Sequence, residues 1–278
     1  MNIIDWKTKA VELRKFNSWT ETYRIIRLNN PELTDNKIRD AVRSKQPKKH
    51  VEVVRDKPTL VFSDLHLPYH HEGYLEFLKE THERFNCKEE VICVGDLVDH
   101  HAISRFNTEP DAMGDIDEFR IAHKEIQRLV KAFPKAVITL GNHDNISHRQ
   151  AASLGISQRY MKSFSQLWDL PNTWKVVDDI IIDNVLYSHG MNAGGKDGAL
   201  NKAVAEQISN VQGHIHSFGG CKYIASKRNL IFGLNTGCLC SPNSLAFAYG
   251  KHARYRPTLG AGIVFNDKFA MFVPWILE

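Results

Sequence analysis

Five short polar clusters carry the residue types that hold divalent cations and move protons. They are Asp64-Leu65-His66; Gly95-Asp96 with Asp99 and His100; Gly141-Asn142-His143-Asp144; Ser188-His189-Gly190; and Gly213-His214-Ile215-His216. Imidazole, carboxamide and carboxylate donors without a thiolate suit borderline to hard cations such as Mn²⁺, Fe or Zn²⁺ rather than a Cys-bound structural zinc. The donors are too many for one ion. A carboxylate shared between two cations about 3.5–4 Å apart would account for the number, and such a pair clamps the attacking and leaving oxygens of a phosphoryl transfer. Any one of these clusters alone reads as a satisfied core histidine or a turn aspartate; five in order, each just after an apolar run, do not arise by chance.

Those apolar runs are the elements that must position the clusters. Residues 59–62, 91–94, 136–140, 180–187 and 208–212 read as strands, and residues 73–85 and 116–133 carry helical periodicity between them. "LIFGLNTG", "GAGIVF" and "KFAMFVPWIL" add strands after residue 230. Strands alternating with helices predict an α/β sheet domain, α+β in some schemes, in which loops at the carboxyl ends of strands converge on one crevice. Glycines 95, 141, 190 and 213 permit the tight strand-to-loop turns this convergence needs.

The ordered pattern D-x-H, G-D-x-x-D, G-N-H-D, H-G and G-H-x-H across residues 64–216 resembles the calcineurin-like metallophosphoesterase superfamily. The resemblance implies a β-sandwich flanked by helices and a site with two divalent metal ions, manganese first, with Fe, Zn, Ni or Mg as alternatives. It implies Asp64, His66 and His216 as ligands of one metal, Asp96 as the bridging carboxylate, and Asn142, His189 and His214 as ligands of the other. It further implies that His143 is the general acid facing the leaving oxygen, oriented by Asp99, with a water or hydroxide held between the cations as nucleophile. A carboxylate beside an imidazolium stabilises the protonated form, which suits that role. Asp144 is expected to fix its loop by accepting backbone N–H bonds. The family's protein phosphatases continue G-D-x-x-D with an Arg that grips phosphate; this chain has His100 there, with Arg105 nearby as a substitute phosphate ligand. That departure leans away from a Ser/Thr phosphatase and towards phosphodiesterases and nucleases.

The 278 residues allow one large domain with a small appendage, and 42% hydrophobic with 24% charged residues excludes both a disordered and a membrane-spanning chain. No apolar run approaches the roughly 18–20 residues of a span, and no secretory signal opens the chain, so a cytoplasmic location is expected. Five cysteines without a C-x-x-C pair predict reduced thiols, with Cys238 and Cys240 as packing residues.

The net charge of +4 is uneven: residues 1–57 hold 14 Lys/Arg against 8 Asp/Glu, leaving the other 221 residues at about −2. Residues 1–46 are expected to form a helical module, 47–57 a linker and 58–278 the phosphoesterase domain. Trp6, Ala10, Leu13 and Phe16 share one helical face, Ser18 and Glu21 fit a capping box for a second helix, and a third helix runs from 34 or 35 to about 43. The triplet resembles a helix-turn-helix with Lys37, Arg39, Arg43 and Lys45 on its recognition helix. The competing reading is a helical cap on the main domain. "FAYGKHARYRP", residues 247–257, could stack bases and track phosphates or form an ordinary surface hairpin, and the acidic stretch 109–119 could cover the site or open a helix. Asn235 and Thr236 are expected at the site rim.

The reading carried forward is a two-metal phosphoesterase acting on a phosphodiester of nucleic acid or nucleotide. The alternatives are a phosphomonoesterase acting on a phosphoprotein or small phosphate ester, and a nucleic-acid-binding or scaffold protein with an inert domain. The oligomeric state does not follow from the sequence.

Overall fold

The structure is a computed structural model that describes residues 6–45, 57–105, 111–241 and 256–277, with residues 8 and 43–45 described for their backbone alone. The chain divides into two compact units, Met1–Val54 and Arg55–Glu278.

In the first unit, α1 (Trp6–Arg14), α2 (Trp19–Arg27) and α3 (Asp35–Lys45) close over Ala10, Tyr23, Ile26, Ile38 and Val42. Phe16, expected on the buried face of the first helix, is instead 87% exposed. The helix stops at Arg14, where Asn17 bonds back to the Leu13 carbonyl through both its backbone and its side chain, and that stop carries Phe16 off the face. Ser18 caps α2 by accepting from the Glu21 N–H at 3.2 Å, but the Glu21 carboxylate turns to Arg24, so the reciprocal half of the expected capping box is not made. Residues 28–34 separate α2 from α3, a longer connection than the roughly three or four residues of a helix-turn-helix. Arg27 binds the Leu33 carbonyl and Asp35 across it. Arg39 donates to the Tyr23 hydroxyl at 3.0 Å and lies over Trp19, while Lys37 is exposed. The side chains of Arg43 and Lys45 lie outside the described residues.

In the second unit, β1 (Thr59–Phe62), β2 (Glu90–Cys93), β3 (Lys135–Thr139) and β4 (Trp174–Val177) run parallel. β10 (Gly260–Asn266) and β11 (Phe269–Pro274) extend the sheet antiparallel beyond β1, giving the order β11-β10-β1-β2-β3-β4. The second sheet comprises β5 (Asp179–Ile182), β6 (Val185–Ser188), β7 (Ser209–Gln212), β8 (Gly219–Ala225) and β9 (Leu230–Thr236), in the order β5-β6-β7-β9-β8. Alternate residues of the first sheet serve two cores. Leu60, Phe62 and Ile138 pack with Leu78 of α4 (Tyr74–Arg84) and Ile126 of α5 (Asp115–Ala132). Val61, Ile92 and Val137 pack against Tyr187, Val211 and Phe232 of the second sheet. Strands buried on both faces read as continuous apolar runs, which is why β1 to β3 are visible in the sequence.

The chain thus has the mixed α/β architecture expected, two sheets flanked by helices. The expected single strand at 180–187 is two, because Asp183 and Asn184 both adopt positive φ, 49° and 60°, and turn β5 back onto β6 as a hairpin. Residues 115–119 of the acidic stretch open α5, with Asp115, Asp117 and Glu118 in its first turn; residues 109 and 110, and 247–255 of the aromatic and basic stretch, lie outside the described residues. No helix among the described residues is long and apolar enough to cross a membrane.

Candidate metal centre

Each polar cluster leaves the carboxyl end of a strand: Asp64 and His66 after β1, Asp96 and Asp99 after β2, Asn142 to Asp144 after β3, His189 after β6, and His214 and His216 after β7. Backbone bonds lock the first two loops together. Asp64 N–H donates to the Gly95 carbonyl and His66 N–H to that of Asp96, both at 3.0 Å. Asp144 then fastens the third loop to the second: its carboxylate accepts from the N–H groups of Asp96 and Gly141 at 2.8 Å and of Val98 at 3.1 Å. Asp64, His66, Asp96 and His214 all sit at positive φ, 53°, 49°, 50° and 69°, a conformation costly for non-glycine residues and stable here only because the surroundings impose it. The glycines are required where side chains come closest. A Cβ on Gly141 would lie 2.1 Å from Asp96 Oδ1, and one on Gly213 2.3 Å from Asp64 Oδ2.

The ligand atoms of Asp64, His66 and His216 lie within 4.8 Å of one another, as do those of Asp96, His189 and His214; those of His66, Asp99 and His143 form a third such group, which shares His66 with the first. In the first, His66 Nε2 faces His216 Nε2 at 3.1 Å, and His216 Nε2 is 3.1 Å from Asp64 Oδ1. In the second, His189 Nε2 is 3.0 Å from Asp96 Oδ2, 3.1 Å from Asn142 Oδ1 and 3.2 Å from His214 Nδ1. Asp96 also reaches the first group, with Oδ2 at 3.7 Å from His66 Nε2. Ring nitrogens aimed at one another repel through their lone pairs unless a proton or a cation lies between them, so this donor set fits a cation in each of the first two groups.

The outer ring nitrogens fix the tautomers. His66 Nδ1 donates to Asp99 Oδ1 at 2.6 Å and His189 Nδ1 to the Val94 carbonyl at 2.9 Å, which leaves each Nε2 lone pair for a cation. The outer nitrogen of His216 has a softer neighbour, Cys240 Sγ at 3.9 Å. All five cysteines are free thiols.

Without metal, protons hold these charges in balance. Burial disfavours charge on every member, but the facing groups overcome it. Asp96 is lowered to about 2 by His189 and His66, Asp64 is held well below the carboxylate range by His216 and His66, and His189 and His216 rise to about 9 against Asp96 and Asp64. Asp144 moves the other way, up to about 6, through burial and the Asp96 charge. His214 is lowered by burial and by His189.

His143 sits beside these groups without joining either pair of facing nitrogens. Its Nδ1 donates to the Asp99 carbonyl at 2.8 Å and lies 3.1 Å from Asp99 Oδ1, and its ring packs edge-on against His66 at 4.5 Å between centroids. Its side chain is 27% exposed where that of His66 is 1%, so of the two it is the one open to a substrate.

The other expected contacts lie around this centre. His100 is turned inwards: Nδ1 donates to the His143 carbonyl at 3.0 Å, the ring approaches Trp168, and burial lowers its pKa. Arg105 donates to Gln150 at 2.8 Å. Asn235 and Thr236 are 2% and 0% exposed and therefore lie beneath the site rather than on its rim; Thr236 bonds Ser63, whose hydroxyl supports Asp64. Three supporting side chains escape the sequence reading. Glu118 is buried at the start of α5 and accepts from the N–H groups of His101 and Ala102, Arg149 donates to the Asn142 carbonyl at 2.7 Å, and Ser63 bonds Asp64. Nothing in residue type or spacing marks them: Glu118 reaches a segment 16 or 17 residues away, and Arg149 and Ser63 act on residues seven and one positions off, which no residue pattern singles out.

A family model described as calcineurin-like phosphoesterase matches residues 57–237, a stretch that contains every one of these clusters. Comparison with curated proteins returns no match.

Proposed function

Because the chain belongs to the calcineurin-like phosphoesterase family, and so carries a metal-dependent phosphoesterase domain, we propose that it hydrolyses a phosphodiester of nucleic acid or nucleotide at a two-metal site. The observation that carries the two-metal reading is the pair of donor groups with the Asp96 carboxylate within reach of both. Asp64, His66 and His216 would hold one cation and Asn142, His189 and His214 the other, with Asp96 as the carboxylate shared by both. When bound, the cations would supply Lewis-acid polarisation of the phosphoryl group and a lowered pKa of water. Manganese is the first choice of cation, with Fe, Zn, Ni and Mg accepted by the same donors.

The protein's own part is to orient and to move a proton. With Nδ1 of His143 committed to Asp99, Nε2 is left to give a proton to the departing oxygen. The phosphodiester preference rests on the absence of an Arg after G-D-x-x-D: His100 occupies that place and spends Nδ1 on the backbone of His143. The basic N-terminal unit supports a nucleic-acid substrate, through Lys37, Arg39, Arg43 and Lys45.

The test is hydrolysis of bis-p-nitrophenyl phosphate and p-nitrophenyl phosphate side by side, with metal-stripped and Mn²⁺-loaded protein. The diester is expected to be the better substrate. His143→Ala should keep both metals and lose about 10²- to 10⁴-fold in turnover, whereas Asp96→Asn should lose metal. Preference for the monoester would overturn the phosphodiester reading, and equal metal loss in both variants would overturn the roles. Deleting residues 1–46 should weaken binding to DNA and flatten its salt dependence.

A further inference from the structure

Two hollows border the donor group of Asn142, His189 and His214, and they share one wall, Met191, which is 56% exposed. They differ in charge. The larger, about 590 Å³, pairs Lys202 with Asp178, Asp179 and Glu206. The smaller, about 280 Å³, is lined by Asn142, His148, Arg149, Gln158 and Met191, and no carboxylate lines it among the described residues. An anion is therefore repelled from the first and accepted in the second.

The smaller hollow is also joined to the chemistry. Asn142, whose Oδ1 faces His189 Nε2 at 3.1 Å, forms part of its wall, so a group in the hollow is a direct neighbour of a phosphoryl group held at the centre. Arg149 lies on α6 (Ile146–Ser153) and uses Nη2 on the Asn142 carbonyl at 2.7 Å. A guanidinium has five N–H donors, so this bond leaves the remainder of the fork available. A space of this size is below that of most whole-ligand pockets and holds a fragment such as one phosphate with part of a sugar.

We propose that this hollow is the subsite for the neighbouring phosphate of a nucleic-acid strand whose scissile phosphate lies at the metal centre, with Arg149 and His148 as its ligands. The proposal rests on the phosphodiester reading above and sharpens it from diesters in general to strands carrying a second phosphate.

The experiment compares thymidine 5′-(p-nitrophenyl phosphate) with the same ester carrying a 3′-phosphate, in full-length Mn²⁺-loaded protein, by release of p-nitrophenolate. The 3′-phosphate is expected to lower KM on the order of tenfold, an advantage that shrinks as salt rises. Arg149→Gln should collapse the advantage to less than about twofold, and Arg149→Lys, which keeps the charge, should retain part of it. Reading the ratio between the two esters cancels any general damage from the lost Asn142 bond, because both esters share the metal centre. Diester turnover without an advantage for the 3′-phosphate, or an advantage that survives in Arg149→Gln, overturns the subsite alone. Hydrolysis of p-nitrophenyl phosphate with no turnover of either diester, or no turnover of any ester, overturns the phosphodiester reading and the subsite with it.

Discussion

Asp99 Oδ1 lies 2.6 Å from Nδ1 of His66, closer than the 3.1 Å that separates the same oxygen from Nδ1 of His143. One buried carboxylate thus bonds a ring of the first donor group and the more exposed ring of His143. Asp99→Asn should therefore harm two properties together, weakening cation affinity by about 10- to 100-fold and lowering turnover at saturating metal. Metal titration followed by turnover on bis-p-nitrophenyl phosphate separates the two. Full recovery of turnover at high metal would show that the contact to His143 carries no function.

Asp144→Asn addresses stability. Both carboxylate oxygens are used on backbone N–H groups of two loops, and an amide offers one acceptor and turns an NH₂ towards a donor. A loss of about 2–4 kcal/mol is expected, read as a lower urea midpoint at unchanged slope. A smaller cost than about 1 kcal/mol would mean that the loops are held by other bonds.

The histidine shifts give a pH dependence with a definite sign. His189 and His216 stand at about 9 in the metal-free protein, above the roughly 6.5 of an unfolded histidine. Their contribution to stability is complete below about pH 6.5 and is lost as pH rises through 9. Asp96, at about 2, contributes above about pH 3.9 and fails only as pH falls towards 2. A cation must displace the histidine protons, so metal affinity should climb with pH up to about 9, with protons released on binding. Calorimetric titration with Mn²⁺ in buffers of different ionisation enthalpy reads that release directly; a heat independent of buffer would contradict it.

Gly141→Ala should abolish metal binding at the second donor group. The added methyl would lie 2.1 Å from Asp96 Oδ1 and 2.5 Å from the Asp96 backbone nitrogen, so either the carboxylate or the loop must move. Metal content is the decisive measurement, and two bound cations in the variant would refute the claim.

How much of this was legible in the sequence depends on the distance over which each residue acts. The parallel strands β1 to β3 are visible because burial on both faces leaves an unbroken apolar run. β4 begins with Trp174 and β8 with Gly219-Gly220, and both are partly exposed, so their patterns are too weak to see. The hairpin at Asp183-Asn184 was masked by the isoleucines before it and Val185 to Tyr187 after it, which read as one run. At the site, the polar clusters are legible because each follows an apolar run, and the structure brings them together. The inward turn of His100 and the reach of Arg149 are set by tertiary packing, and local sequence carries no record of it.

The zipped backbones of the β1 and β2 loops, fastened to the β3 loop by Asp144, have one more consequence. The donor loops are held to one another by backbone hydrogen bonds, so the donors would be in position before a cation binds. A chelator should leave a protein with its far-ultraviolet circular dichroism intact, and activity should return on adding cations with the kinetics of diffusion and ligand exchange rather than those of refolding.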